Sequence, residues 1–179
     1  MRSFIEWSKK EHSLTGKLAA GLLAGLLFVG LIPLALLCWL PRVDGTLGLT
    51  PMHPGLLGFV AGWILILVGA PIGFWTVIVQ ILKASGTPLP MFPTQRLLVK
   101  GPYAWSRNPM VFGTVCAYLG LSLLVGSWTA LGSVLAFALL LWIYLKLVEE
   151  RELEMRFGEE YLRYKLRTSF IIPWPPKRG

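Results

Sequence analysis

The fold this sequence predicts is a single all-α membrane domain: a bundle of four transmembrane helices followed by a charged amphipathic helix. Three observations carry that prediction. The 179 residues are 55% hydrophobic, with a mean hydropathy of +0.64. The apolar residues gather into runs long enough to cross about 30 Å of hydrocarbon. The 17 Lys and Arg residues flank those runs instead of forming one tract. The net charge of +8 therefore points to membrane topology and anionic headgroups, with no nucleic acid as partner. Cys38 and Cys116 lie inside apolar runs, where a thiol behaves as a small hydrophobe; with no further cysteines, neither a disulfide framework nor a metal site is expected.

Residues 1–179 read as one integral membrane domain. Residues 1–17 are polar and basic. The first span, about 18–40, holds 23 residues without a charge, and Pro33 should kink it. It is too long for the apolar core of a signal peptide and lacks a small-residue cleavage site. A loop from Pro41 to Pro54 leads to the second span, about 55–82. There Gly69, Ala70 and Gly73 permit close helix approach, and Pro71 should bend the helix. The longest loop runs from Lys83 to Asn108. Pro88, Pro90 and Pro93 keep its first half extended, and an irregular stretch of that length implies a function. The third span, about 109–126, opens on a first-turn proline, Pro109. Ser127-Trp128 turns the chain, and the fourth span covers about 129–148. Residues 149–168 are highly charged, with Leu153, Phe157, Tyr161, Leu162 and Leu166 at helical spacing. That pattern predicts an amphipathic helix lying on the membrane or capping the bundle.

Basic residues set the orientation. Of the five pieces outside the spans, the first, third and fifth hold every Lys and Arg except Arg42, with Lys146 counted at the end of the fourth span. The positive-inside rule then places both termini and the long loop in the cytoplasm. The compact four-span form suggests a bacterial cell membrane, with membrane lipids as constant neighbours. The glycine-rich face of the first span leaves a homodimer open as a partner.

Helix arithmetic brings two polar clusters together. Asn108 to Ser127 is 19 residues and Trp128 to Glu149 is 21, so each leg of the hairpin is roughly 30 Å at 1.5 Å per residue. Arg107-Asn108-Pro109 thus comes level with Glu149-Glu150 at the cytoplasmic interface, and segments 97–113 and 149–168 form the expected site. The site offers a cation, amide and backbone donors around Asn108 and Gly101, two carboxylates, and aromatic surface from Tyr103 and Trp105. A ligand with an amino-acid head and an aromatic base suits it. The competing reading has Arg107 snorkelling to phosphates and the two glutamates solvated at a helix end.

The ordered motifs go further. LLVKGPYAWSRNPMVFG, followed about 40 residues later by VEERELEMRFGEEYLRYK, resembles the membrane methyltransferases of the isoprenylcysteine carboxyl methyltransferase type, whose relatives include the phospholipid N-methyltransferases. The likeness runs from Leu97 to about Lys165. It implies S-adenosyl-L-methionine as cofactor, held by Gly101, Pro102, Tyr103, Arg107, Asn108, Pro109, Gly113, Glu149 and Glu150. In that scheme Glu150 takes the cofactor's amino group, and Arg107 or backbone donors near it take its carboxylate. Arg107, Glu150 and Arg151 are the residues expected at the chemistry. Asn108 stands where the family often has His, and Val111 where it usually has Tyr, which leaves position 111 without a hydroxyl.

The expected reaction is methyl transfer to a lipid-like or isoprenoid-type small molecule, with carboxyl O-methylation preferred. A carboxylate acceptor is already ionised and needs only an orienting cation, whereas an amine must first give up a proton. Amine or phospholipid N-methylation is the alternative within the class. A non-catalytic membrane assembly protein is the alternative outside it. Transport fits poorly, because no charged residue lies deep in any predicted span.

Overall fold

The computed structural model describes residues 14–84 and 97–176, and every regular element among them is helical. Residues 1–13, the proline-rich half of the long loop with Arg96, and the basic end at 177–179 lie outside the described residues.

The first rod begins as α1 (Leu14–Gly25) and widens into two π turns, Leu26–Leu31 and Ala35–Trp39, joined by Ile32–Leu34. It closes as α2 (Leu40–Thr46). A proline removes one backbone donor and crowds the carbonyl four residues back. The widened turns beside Pro33 and Pro41 absorb both effects, because a π turn reassigns the pairing. The rod therefore continues past the predicted end at residue 40.

Next come α3 (Gly55–Ala84), unbroken through Pro71, and a 3₁₀ turn (Gly101–Ala104). They are followed by α4 (Pro109–Val125) and α5 (Trp128–Tyr144), which passes through a π turn (Leu145–Glu149) into α6 (Glu150–Phe157). Three stretches, Gly21–Thr46, Gly55–Leu82 and Trp128–Phe157, are long and apolar enough to cross a membrane. The predicted third span, α4, is the short one at 17 residues, or about 26 Å. The charged segment is not one helix. Gly158, at φ 53° and ψ −129°, ends α6, and α7 (Glu159–Arg167) starts afresh. Only glycine adopts that conformation readily.

Helices α3 and α4 pack backbone against backbone, as the small residues predict. A Cβ added at Gly69 would lie 2.5 Å from the Gly113 carbonyl oxygen, and one at Gly120 would lie 2.5 Å from that of Gly62. These contacts run antiparallel and fix the register that leads to the site. Leu36, Tyr118, Ala130 and Val134 form the buried apolar core between the first rod, α4 and α5. The Tyr118 hydroxyl reaches across it to donate to the Phe28 carbonyl at 2.6 Å.

Candidate active site

The two polar clusters meet as the helix arithmetic requires. Arg107 Nη1 lies 2.6 Å from Glu150 Oε1, and both side chains are buried. Glu150 Oε2 also receives Lys146 Nζ at 3.2 Å and Lys165 Nζ at 3.1 Å. Lys165 extends the network to Glu154 at 2.6 Å. Its hydrogen bond to Glu154 is the main cause that raises its pKa, so the ammonium charge is held firmly. Three cations thus converge on one buried carboxylate.

The Arg107–Glu150 contact is close but poorly aligned for hydrogen bonding. Arg107 Nε and Nη1 and Glu150 Oε1 are buried without a hydrogen-bond partner, as is Gln80 Oε1 on α3. A buried polar atom without a hydrogen bond carries a desolvation penalty of roughly 1–3 kcal/mol, which Arg107 Nη1 and Glu150 Oε1 offset in part through their 2.6 Å ion pair. A folded protein retains few such atoms. Here they are three atoms of a single ion pair plus one amide.

The loop that carries Arg107 is fastened on two sides. Ser106 is fully buried; its hydroxyl donates to the Ile171 carbonyl at 2.7 Å and accepts from the Asn108 N–H at 3.1 Å. Asn108 Nδ2 donates to the Phe170 carbonyl at 3.0 Å, and the Arg107 N–H donates to the Ser169 carbonyl at 2.9 Å. The segment after α7 is therefore a strap across residues 105–108. It sets the Phe170 ring 5.3 Å from the Arg107 guanidinium carbon and 4.9 Å from Lys146 Nζ, within cation–π range. On the other side, the Tyr164 hydroxyl donates to the Tyr103 carbonyl at 2.6 Å. Tyr161 is 1% exposed; burial pushes its hydroxyl up to about 12 against the pull of Arg107. Burial also raises Tyr103 and Tyr164, so all three phenols stay protonated.

The expected site residues divide accordingly. Arg107, Glu150, Asn108, Tyr103 and the buried Pro102 lie in or around the cluster. Pro109 is buried in the first turn of α4. Gly101 seats the 3₁₀ turn against α3, where a Cβ would meet Trp75 at 3.7 Å and Val79 at 3.9 Å. Glu149 is half-buried, close enough for its charge to act on Tyr103. Gly113, one turn along α4 from Pro109, packs against α3, with a hypothetical Cβ 2.6 Å from the Gly69 carbonyl oxygen and from the Gly73 nitrogen. Arg151 is exposed and takes no part in the ion pairs around Glu150. One residue along a helix turns the side chain by about 100°, and that carries Arg151 off the cluster's face.

Sequence reasoning did not assign Ser106, Lys146, Lys165, Gln80 or the strap to the site. Gln80 left a trace, an amide inside an apolar run. The strap left none, since its bonds are to backbone carbonyls more than 60 residues away in sequence.

The motifs of this cluster are those of a known family. A family model described as phospholipid methyltransferase matches residues 57–160, which includes α4, α5, α6 and both sides of the ion pair. The chain belongs to the phospholipid methyltransferase family. It is also 30% identical over 121 residues to methanethiol S-methyltransferase 1 of Bradyrhizobium diazoefficiens, a match covering 64% of this chain and 39% of that protein. The chain thus matches well under half the length of that relative. No solved structure matches. Family membership and three long apolar helices together describe a multi-pass membrane protein of a methyltransferase family.

Proposed function

We propose that this chain is an S-adenosyl-L-methionine-dependent methyltransferase whose site opens at the cytoplasmic face of a bacterial cell membrane. In this reading α4 is a fourth crossing, both termini are cytoplasmic, and residues 1–179 form one integral membrane unit. The observation that carries the proposal is the buried Arg107–Glu150 pair with its orphaned donors and acceptor. A ligand with an α-amino group and an α-carboxylate offers those atoms the aligned hydrogen bonds that their ion pair does not make: an N–H donor for Glu150 Oε1 and a carboxylate for the Arg107 fork. The residues present fit the cofactor's amino-acid end.

When bound, the cofactor supplies an electrophilic methyl group on a sulfonium. The chain's own part is binding, orientation and exclusion of water. Arg107 and Glu150 hold the amino-acid end, Phe170 and the strap cover them, and Tyr103 and Tyr161 line the surroundings as neutral phenols. Lys146 and Lys165 remain partly exposed and orient an acceptor that reacts as an anion. That favours the carboxylate of a lipid-like or isoprenoid-type molecule arriving from the bilayer. Thiolate methylation is the second reading, prompted by the S-methyltransferase relative; an amine acceptor finds no help from this cluster of cations.

Calorimetric titration of detergent-purified protein with S-adenosylhomocysteine tests the cofactor. Wild type should bind, and Arg107→Ala and Glu150→Ala should not; no binding to wild type at millimolar ligand sinks the proposal. Labelled cofactor screened against isoprenoid acids, small thiols and lipid amines then decides the acceptor.

A further inference from the structure

Among the described residues, Gln80 Oε1 joins the Arg107 and Glu150 atoms as buried without a hydrogen bond, and of these residues Gln80 alone stands on α3. Its position follows from the helix register. Gly62, Gly69, Gly73, Thr76 and Gln80 recur at intervals of three, four and seven residues along one face of α3, and Gly62, Gly69 and Gly73 touch α4 directly. Thr76 is fully buried and has satisfied its hydroxyl by donating to the Ile72 carbonyl at 2.7 Å. One turn further on, Gln80 reaches the level of the 3₁₀ turn, because Gly101 rests against Trp75 and Val79. A glutamine near a helix end that merely snorkelled would place its amide in water. This one keeps Oε1 buried and unpaired on the face that leads to the site.

We infer that Gln80 forms the α3 wall of the cofactor site, its amide oxygen accepting a hydrogen bond from the exocyclic amino group of the adenine. The inference rests on the cofactor reading above and deepens it. Arg107 and Glu150 account for the amino-acid end, so the remaining acceptor must meet the ligand's other N–H donor. The direction agrees. From the level of Thr76 to that of Gln80 is four residues toward the end of α3, roughly 6 Å at 1.5 Å per residue, and away from the Gly62–Gly120 end of the helix pair. A water-soluble ligand then keeps its base toward solvent and its reactive centre toward the bilayer.

The test is binding, read by calorimetry without turnover, with two ligands: S-adenosylhomocysteine and its inosyl analogue, in which an oxo group replaces the 6-amino group. Wild type should bind the adenosyl form about tenfold more tightly, the scale set by one unsatisfied buried polar group. Gln80→Leu should lose about tenfold for the adenosyl ligand and bind both alike. Gln80→Glu, which keeps an acceptor oxygen, should retain the preference. Wild type that binds both ligands equally overturns the inference even where Gln80→Leu fails to fold, and so does Gln80→Leu with undiminished preference. Wild type that binds neither ligand overturns the cofactor reading itself, a separate result.

Discussion

Where the first rod meets the start of α5, Asp44 Oδ1 accepts from the Thr129 N–H at 2.9 Å and the Thr129 hydroxyl donates to the Leu40 carbonyl at 2.6 Å. The Ser127 hydroxyl caps α5 by accepting from the Ala130 N–H at 3.1 Å. At the opposite end of the bundle, Arg107, Glu150 and Gln80 keep buried atoms that make no hydrogen bond among the described residues, although Arg107 and Glu150 pair as ions. Both ends are polar and both join distant parts of the chain. One end has its hydrogen bonds satisfied within the chain, whereas the other keeps buried atoms without one, the difference on which the proposed ligand site rests. Local incompleteness, held in place by a well-bonded loop and strap, is what separates a site from a joint.

The sharpest way to break the comparison is to remove a partner at the incomplete end. Glu150→Ala leaves Arg107 buried and uncompensated, a change worth about 3–5 kcal/mol in folded proteins. Thermal unfolding in detergent should show the largest loss here, and a midpoint equal to wild type would make the pair solvated and the site reading wrong. Next in size is Gly113→Ala. Its added methyl would lie 2.6 Å from backbone atoms of Gly69 and Gly73, and overpacking of that kind costs about 1–3 kcal/mol. Gly132→Ala, with nothing within 4 Å of the new Cβ, is the control and should melt like wild type.

Smaller effects should separate the ends by kind. Ser127→Ala removes an N-cap and should lower stability by about 1 kcal/mol while leaving ligand affinity unchanged. Asn108→Ala loses the bond to the Phe170 carbonyl, again about 1 kcal/mol. Hydrogen exchange should then quicken at residues 169–174 before it does in α4 or α5; unchanged exchange there would mean the strap is held without Asn108.

Much of this was legible in the sequence because it depends on lengths. Two legs of 19 and 21 residues suffice to bring Arg107 beside Glu150, and the glycines of α3 announce a close partner. Features set by pairing across the fold were not legible. Asp44 reads as a loop residue until Thr129 is seen to bind it, and the first rod runs on past Pro41 to place it there. The charged segment reads as one amphipathic helix by periodicity, although Gly158 after Phe157 is a stop signal. Gly113 illustrates a motif glycine with a second reason to be small: it packs against Gly69 and Gly73 of α3.

The central claim is that Arg107 and Glu150, beyond their part in stability, are arranged to hold a ligand. Arg107→Lys tests it most directly, since lysine keeps the positive charge beside Glu150 but lacks the planar fork. Measured beside Ser127→Ala by thermal melting and S-adenosylhomocysteine titration, it should melt near wild type and bind at least about tenfold more weakly, the scale of one lost charged hydrogen bond. Ser127→Ala should do the reverse. Arg107→Lys that binds like wild type while melting far lower would contradict the account and make the pair a structural joint.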